Sequence, residues 1–222
     1  MPTVAFDLLT ANTNRFAKVQ CALFKGTTRA VFIDKREFGG SIYTQIEEAY
    51  QFVLKHINLG AKINGLIRKD VYELPVDAIR EAIINAVTHR NYMEHACVQV
   101  CVYDDRVEIT SPGLLYNGLD LKMIMDGNSR IRNTGIAEMF SRMHIVEVWG
   151  TGIQRMIEGC RSYQIAPPVF EESGSSFRVV FMRHENVQDN VRDNVRDNVQ
   201  EKMTGKLTEH NTFLHCLQNI RR

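Results

Sequence analysis

An acid, an amide and an imidazole recur at four-residue intervals in the stretch EAIINAVTHRNY, as Glu81, Asn85 and His89. On a helix that interval stacks side chains along one strip, a turn apart. A carboxylate and an amide oxygen on such a strip are groups that can grip a hard cation and, through it, a phosphate. The same residue types also make up the wet side of ordinary amphipathic helices. The strip by itself therefore leaves a metal–nucleotide grip and plain solvation both open.

The helix that must carry the strip is read from Pro75, a suitable first helical residue, to about Arg90. Val76, Ile79, Ile83, Ala86 and Val87 fall on one face. Glu81, Asn85 and Thr88 fall opposite, with His89 at the margin. Ahead of it, residues 19–34 read as two strands joined at KGTT. A helix over 41–57 is capped by Ser41 and followed by an extended run. Behind it, ACVQVCVY and RVEIT form a hairpin that ends at SPG. Residues 114–133 have weak periodicity and several turn formers and read as a mobile loop. Asn133 is placed to cap a short helix with Ile136, Met139, Phe140 and Met143 on one side. A short strand, the turn Gly150-Thr151-Gly152, a helix with Ile153, Met156, Ile157 and Cys160 at helical spacing, and a closing hairpin around SGS complete the pattern.

The 222 residues are 44% hydrophobic with a formal net charge of +1, so overall charge supplies no argument for DNA or membrane binding. No apolar run approaches the roughly 18 residues of a membrane span, and the N-terminus has no signal-peptide pattern; a cytoplasmic chain without a membrane partner is expected. Five scattered cysteines suit reduced thiols better than a disulfide framework. Cys97 and Cys101 share a strand face, but a straight strand cannot fold two sulfurs around one zinc ion, so both read as buried free thiols.

Composition changes after Arg183, where ENVQDNVRDNVRDNVQ repeats Asn-Val every four residues. One Val row is too narrow for a core, so residues 184–200 read as a linker. Residues 1–18 read as the tail of a preceding domain, 19–183 as the main domain, and 201–222 as the start of a truncated segment, a winged-helix candidate.

Taken together, the 75–90 helix, ITSPG and VWGTGIQRM resemble the ATP-binding Bergerat (GHKL) fold of gyrase, histidine kinases and MutL. More narrowly, YELPVDAIREAIINAVTHRNY, VEITSPGLL, RNTGIAEMF and VEVWGTGIQRM resemble the RecG-like family of ATP-dependent helicases or transcriptional regulators. The resemblance implies an α/β chain, specifically an α+β two-layer sandwich in which a mixed sheet carries helices on one face. It implies ATP and Mg²⁺ as cofactors, a nucleotide as partner, DNA reached through Schlafen/AlbA-type neighbouring domains that this chain lacks, and a homodimer as a candidate assembly.

By the same resemblance Glu81 polarises the attacking water and is the catalytic residue, while Asn85 holds the metal. Ser111 and Gly113 sit against the base. Gly150, Thr151 and Gly152 open a helix whose N–H groups receive phosphate, and Arg132, with Arg130 and Arg155, is placed for phosphate contact. Gly150 and Gly152 can equally be a plain strand-to-helix turn, and Ser-Pro-Gly is a good turn with or without a ligand. His89 reads as a hydrogen-bonded helix-end residue, and Trp149 with Met139, Met143 and Met156 as core.

Two positions depart from the fold's Asp-x-Gly-x-Gly pattern: Ser111 stands for the aspartate and Leu115 for the second glycine. A serine oxygen still accepts a hydrogen bond, but without charge. The function expected is an ATP-binding module of a bacterial DNA-associated regulator with weak Mg-dependent hydrolysis. The alternative is a non-catalytic structural or dimerisation core. A helicase motor is excluded, because G-x-x-x-x-G-K-[ST] does not occur.

Overall fold

A computed structural model describes residues 4–10, 17–64, 67–146 and 150–183. The Asn-Val repeat, the segment after it and Trp149 lie outside the described residues. Among these, the chain runs α1 (Val4–Thr10), β1 (Val19–Phe24), β2 (Phe32–Phe38), α2 (Ile42–His56), β3 (Leu59–Asn64), β4 (Ile67–Tyr72), α3 (Val76–His89), β5 (Val98–Val102) and β6 (Arg106–Pro112). It continues with α4 (Leu121–Met125), α5 (Thr134–Arg142), α6 (Gly152–Ser162), β7 (Val169–Ser173) and β8 (Ser176–Met182).

Six strands form one sheet in the order β2-β1-β5-β6-β8-β7, and β3 with β4 makes a separate hairpin. Among the described strands, only β1 and β5 run parallel, with Val19 opposite Val98; the other pairings are antiparallel. Side chains alternate between faces along each strand. Val98, Val100 and Val102 of β5 and Val107 and Ile109 of β6 join the main core, whereas Cys101 and Tyr103 join Ala22 and Phe24 in a separate cluster. Helices α2 and α3 pack on the core face. The expected two-layer α+β sandwich is therefore the fold observed.

Most local signals act as read. Ser41 caps α2, its Oγ accepting from the Thr44 N–H at 3.2 Å. Ile46, Ala49, Phe52 and Val53 turn that helix inward. Pro75 stands as the cap of α3, so the helix proper begins at Val76.

Five expectations are corrected. Thr88, read onto the wet side of α3, is only 1% exposed, because a neighbouring layer covers that margin of the helix. Asn133 holds the N-cap position of α5 but its side chain makes no capping bond; its Nδ2 donates at 2.8 Å to each of the Thr88 and Arg90 carbonyls. The final carbonyls of a helix lack intrahelical donors and draw such a side chain strongly. Met139 and Met143 lie on the outside of α5, while Ile136 and Phe140 fill the core. Residues 114–133 contain a short helix, α4, capped by the Asp120 carboxylate accepting from the Met123 N–H at 2.7 Å. Cys97 is half-buried, whereas Cys21, Cys101 and Cys160 are buried and free.

The face away from α2 and α3 is held by charge. Glu108 is buried and accepts from Arg106 Nε at 2.8 Å and Arg29 Nη2 at 3.1 Å, while Arg106 stacks 4.0 Å from the Tyr103 ring. Burial pushes the Glu108 carboxyl upward, but the hydrogen bonds and charges of Arg106 and Arg29 outweigh it and hold it below the usual range. Among the described residues no helix is long and apolar enough to cross a membrane.

Two outcomes are expected from this packing. Ile83→Ala, at a fully buried position on α3, costs about 3 kcal/mol of unfolding free energy in a urea titration. Glu108→Ala costs about 2 kcal/mol, less than a fully buried pair would, because Arg29 reaches solvent. A depressed carboxyl stabilises above its ordinary range and loses that contribution as pH falls below that range through its own lowered value. The difference between wild type and Glu108→Ala should therefore shrink in acid.

Candidate functional site

Helix α3 is buried on its Ile79, Ile83 and Val87 side and presents Glu81, Asn85 and His89 to a cavity of about 180 Å³. The opposite wall comes from Ser111 and Gly113 at the end of β6, from the segment through Arg132, and from Gly150 and Gly152 at the start of α6. Its floor is apolar and includes Phe177 and Val179 of β8. Four parts of the chain thus meet around one space.

Glu81 and Asn85 are bound to each other, Asn85 Nδ2 donating to Glu81 Oε1 at 3.1 Å. With the amide nitrogen committed, Oδ1 is the atom of Asn85 left to act as an oxygen ligand. Glu81 lies hard against the start of α6. A Cβ on Gly152 would stand 2.2 Å from Glu81 Oε1 and 3.4 Å from Asn85 Nδ2. Glycine at 152 is therefore what lets the carboxylate reach the first turn of α6. Gly150 is required for a different reason: φ is +70°, and a Cβ there would meet the Gly127 carbonyl oxygen at 2.6 Å.

Ser111 is buried and donates its hydroxyl proton to the Ala86 carbonyl at 2.7 Å. Its oxygen is left with lone pairs only, so it can serve a ligand as an acceptor and not as a donor. Gly113 has φ +99°, and a Cβ would meet Asn91 Cβ at 2.8 Å. The protein's own turn after α3 thus demands that glycine, independently of a base.

Arg132 Nη2 donates to the Leu114 carbonyl at 2.5 Å, and its guanidinium lies 4.9 Å from the Tyr116 ring centroid. Its Nε is shut off from bulk water and makes no hydrogen bond, and the Thr88 hydroxyl is in the same condition. Arg130 also lines the cavity. Thr151 is the cap residue of α6, is exposed, and makes no side-chain capping bond. Neither it nor Arg155 is among the cavity's lining residues.

His89 makes no hydrogen bond among the described residues, contrary to the expectation of a bonded helix-end residue. It lines the cavity one turn beyond Asn85. Burial holds its imidazole below the ordinary range, and the charge of Arg132 adds to that effect. The signal that could have found it was present in the four-residue interval from Asn85.

Among the described residues no cluster of three or more His, Cys, Asp or Glu side chains could hold a metal ion alone. One amide oxygen beside one carboxylate suits Mg²⁺ that keeps water and phosphate for the rest of its shell.

No curated protein matches the chain. The solved structure of the DIP2311 protein from Corynebacterium diphtheriae is similar in fold, with a TM-score of 0.74 and 22% identity. The similarity covers 82% of this chain and 38% of that one. The family described as "Putative ATP-dependent DNA helicase recG C-terminal" matches residues 95–181. That segment contains Ser111, Gly113, Arg132, Gly150, Thr151 and Gly152, whereas Glu81, Asn85 and His89 precede it. Residues 95–181, set within a six-stranded mixed sheet, are thus similar to this ATPase-like C-terminal family of RecG-like proteins.

Proposed function

We propose that the cavity between α3, the end of β6 and the start of α6 binds ATP with Mg²⁺, and that the module serves a DNA-associated regulator. The observation that carries this reading is the meeting of Glu81, Asn85 and Gly152 at a single point, with Ser111 on the opposite wall. The wording of the family description supports the ATP and DNA context only, and the regulatory role rests on the sequence resemblance.

In this reading the Ser111 oxygen accepts from the exocyclic amino group of adenine. Guanine offers a carbonyl at that position, which an acceptor-only oxygen rejects. Asn85 Oδ1 is the ligand for Mg²⁺, which when bound neutralises phosphate charge. The N–H groups at Gly152 and the first turn of α6 receive phosphate oxygens. Glu81, within reach of that turn, acts as general base on a water. At about 180 Å³ the cavity is below the ~300 Å³ lower end of small-molecule sites, so a whole triphosphate requires the segment from Leu114 to Arg132 to move outward.

The second reading, a scaffold without a ligand, is favoured by that small volume and is separated by calorimetry. Wild-type protein should bind MgATP saturably and prefer it to GTP, and Asn85→Ala should abolish the magnesium-dependent part. Absence of binding by folded, nucleotide-free protein would sink the proposal. Ser111→Ala should flatten the ATP preference by roughly tenfold, the value of one hydrogen bond. Glu81→Gln should keep nucleotide affinity and lose phosphate release; equal release by both proteins would remove Glu81 from the chemistry.

A further inference from the structure

The sheet face away from α2 and α3 carries a second concavity, of about 320 Å³. Alternation along β8 separates the two spaces: Phe177 and Val179 floor the first cavity, whereas Ser176 and Arg178 point the other way and line the second. Register builds this bowl. Directly opposite residues on antiparallel neighbours share a face, so Gln99, Thr110, Arg178 and Glu171 make one row across β5, β6, β8 and β7. Glu108 lies one pleat to one side of that row, and the opposed pair Ser173 and Ser176 one pleat to the other. The loop before β2 lays Arg29 over the β5 end, with Nη1 donating to Gln99 Oε1 at 3.2 Å.

The three arginines of the bowl are not used alike. Arg29 spends each nitrogen once, on Tyr103, Gln99 and Glu108. Arg106 is divided between Glu108 and Asp105. Arg178 is held by ion pairs alone. Its Nη1 lies 3.8 Å from Glu108 Oε2, beyond hydrogen-bond reach, and its Nε lies 2.9 Å from Glu171 Oε1. That Nε is sealed from water without a well-aligned acceptor, a condition that costs free energy until one arrives. The hydroxyls of Thr110, Ser173 and Ser176 also make no hydrogen bond among the described residues. Asp105 and Glu171 balance two of the three cations, but neither lines the bowl, and with side chains 36% and 43% exposed both are screened by water. Neutralising Glu108 alone needs one guanidinium, and Arg106 and Arg29 already supply two.

We propose that this bowl binds the phosphate group of a small phosphomonoester. Arg178 and Arg29 flank the group, and Thr110, Ser173, Ser176 and the Gln99 amide donate to its oxygens. Donors of this number exceed what the two oxygens of a carboxylate can accept, whereas a phosphate dianion offers three oxygens and matches the guanidinium fork. The arginines converge on one point instead of forming a line, which suits a terminal phosphate better than the spaced diesters of a nucleic-acid backbone. The site is independent of the nucleotide cavity on the other face of the sheet.

The experiment titrates the full chain into phenyl phosphate, and separately into inorganic phosphate, without magnesium or nucleotide, and follows the phosphorus resonance. Acetate and an unphosphorylated DNA duplex are competitors. The variants are Arg178→Gln and Ser173→Asp, each checked by its melting curve; Ser173 is exposed, so its variant decides the matter if Arg178→Gln fails to fold. Wild type should bind both phosphates saturably, and each folded variant should bind at least about tenfold more weakly, the loss of one charge-assisted hydrogen bond or the gain of one repulsive charge. Acetate should compete at least about tenfold less well than inorganic phosphate. Equal binding by wild type and Ser173→Asp overturns the proposal, as does no binding by wild type. Acetate that competes as well as phosphate overturns it in favour of a carboxylate ligand. Duplex that binds more tightly than phenyl phosphate, and is lost in the variants, overturns it in favour of a nucleic-acid contact.

Discussion

The approach of the Glu81 carboxylate to the first turn of α6 is the constraint on which the rest of the site depends. It needs a residue without a Cβ at 152, and it needs α3 and α6 to pack closely along their length. Gly159 supplies the second condition: a Cβ there would already lie 3.4 Å from Pro75 and 3.5 Å from Ala78. Small residues at both crossing points let two helix backbones come together, and the core behind α3 holds that helix in place. The carboxylate is thereby set by packing and not by a loop.

The segment after β6 is tied into the same construction. Gly150 sits under the Gly127 carbonyl, and Gln154 of α6 donates to the Met125 carbonyl at 2.5 Å. At the other end Asn133 joins the start of α5 to the last carbonyls of α3. Both ends of the wall facing the strip are therefore anchored to the two helices that form the site. Movement of that wall would be felt at the start of α6 and at the end of α3 together.

Much of this was legible in the order of residues. The alternation in VQVCV, the spacing in α2 and the Ser41 cap each act locally, and local signals survive in the fold. The strip of Glu81, Asn85 and His89 was legible too, because helical spacing alone puts them on one side. What failed depends on neighbours in space. Thr88 has the pattern of a wet residue and is covered by other elements. Asn133 has a capping residue's position but finds better acceptors on α3. Gly113 carries a demand that its sequence context does not show, since a Cβ there would meet Asn91. Strand alternation puts Arg106 and Glu108 on one face of β6, but no sequence pattern could bring Arg29 to them, since the loop before β2 delivers it there.

The parallel pairing of β1 with β5 sets a cost of another kind. The antiparallel pairs β1–β2, β3–β4, β5–β6 and β7–β8 join strands that are neighbours in sequence, whereas Val19 meets Val98 only after α2, the β3–β4 hairpin and α3 have been threaded between them. Closing so long a stretch carries the largest loop entropy in that half of the sheet, and it is repaid only when the intervening helices are in place. The chain is thus built to assemble from hairpins outward, with α3 acting as the splint that lets the first strand find the fifth.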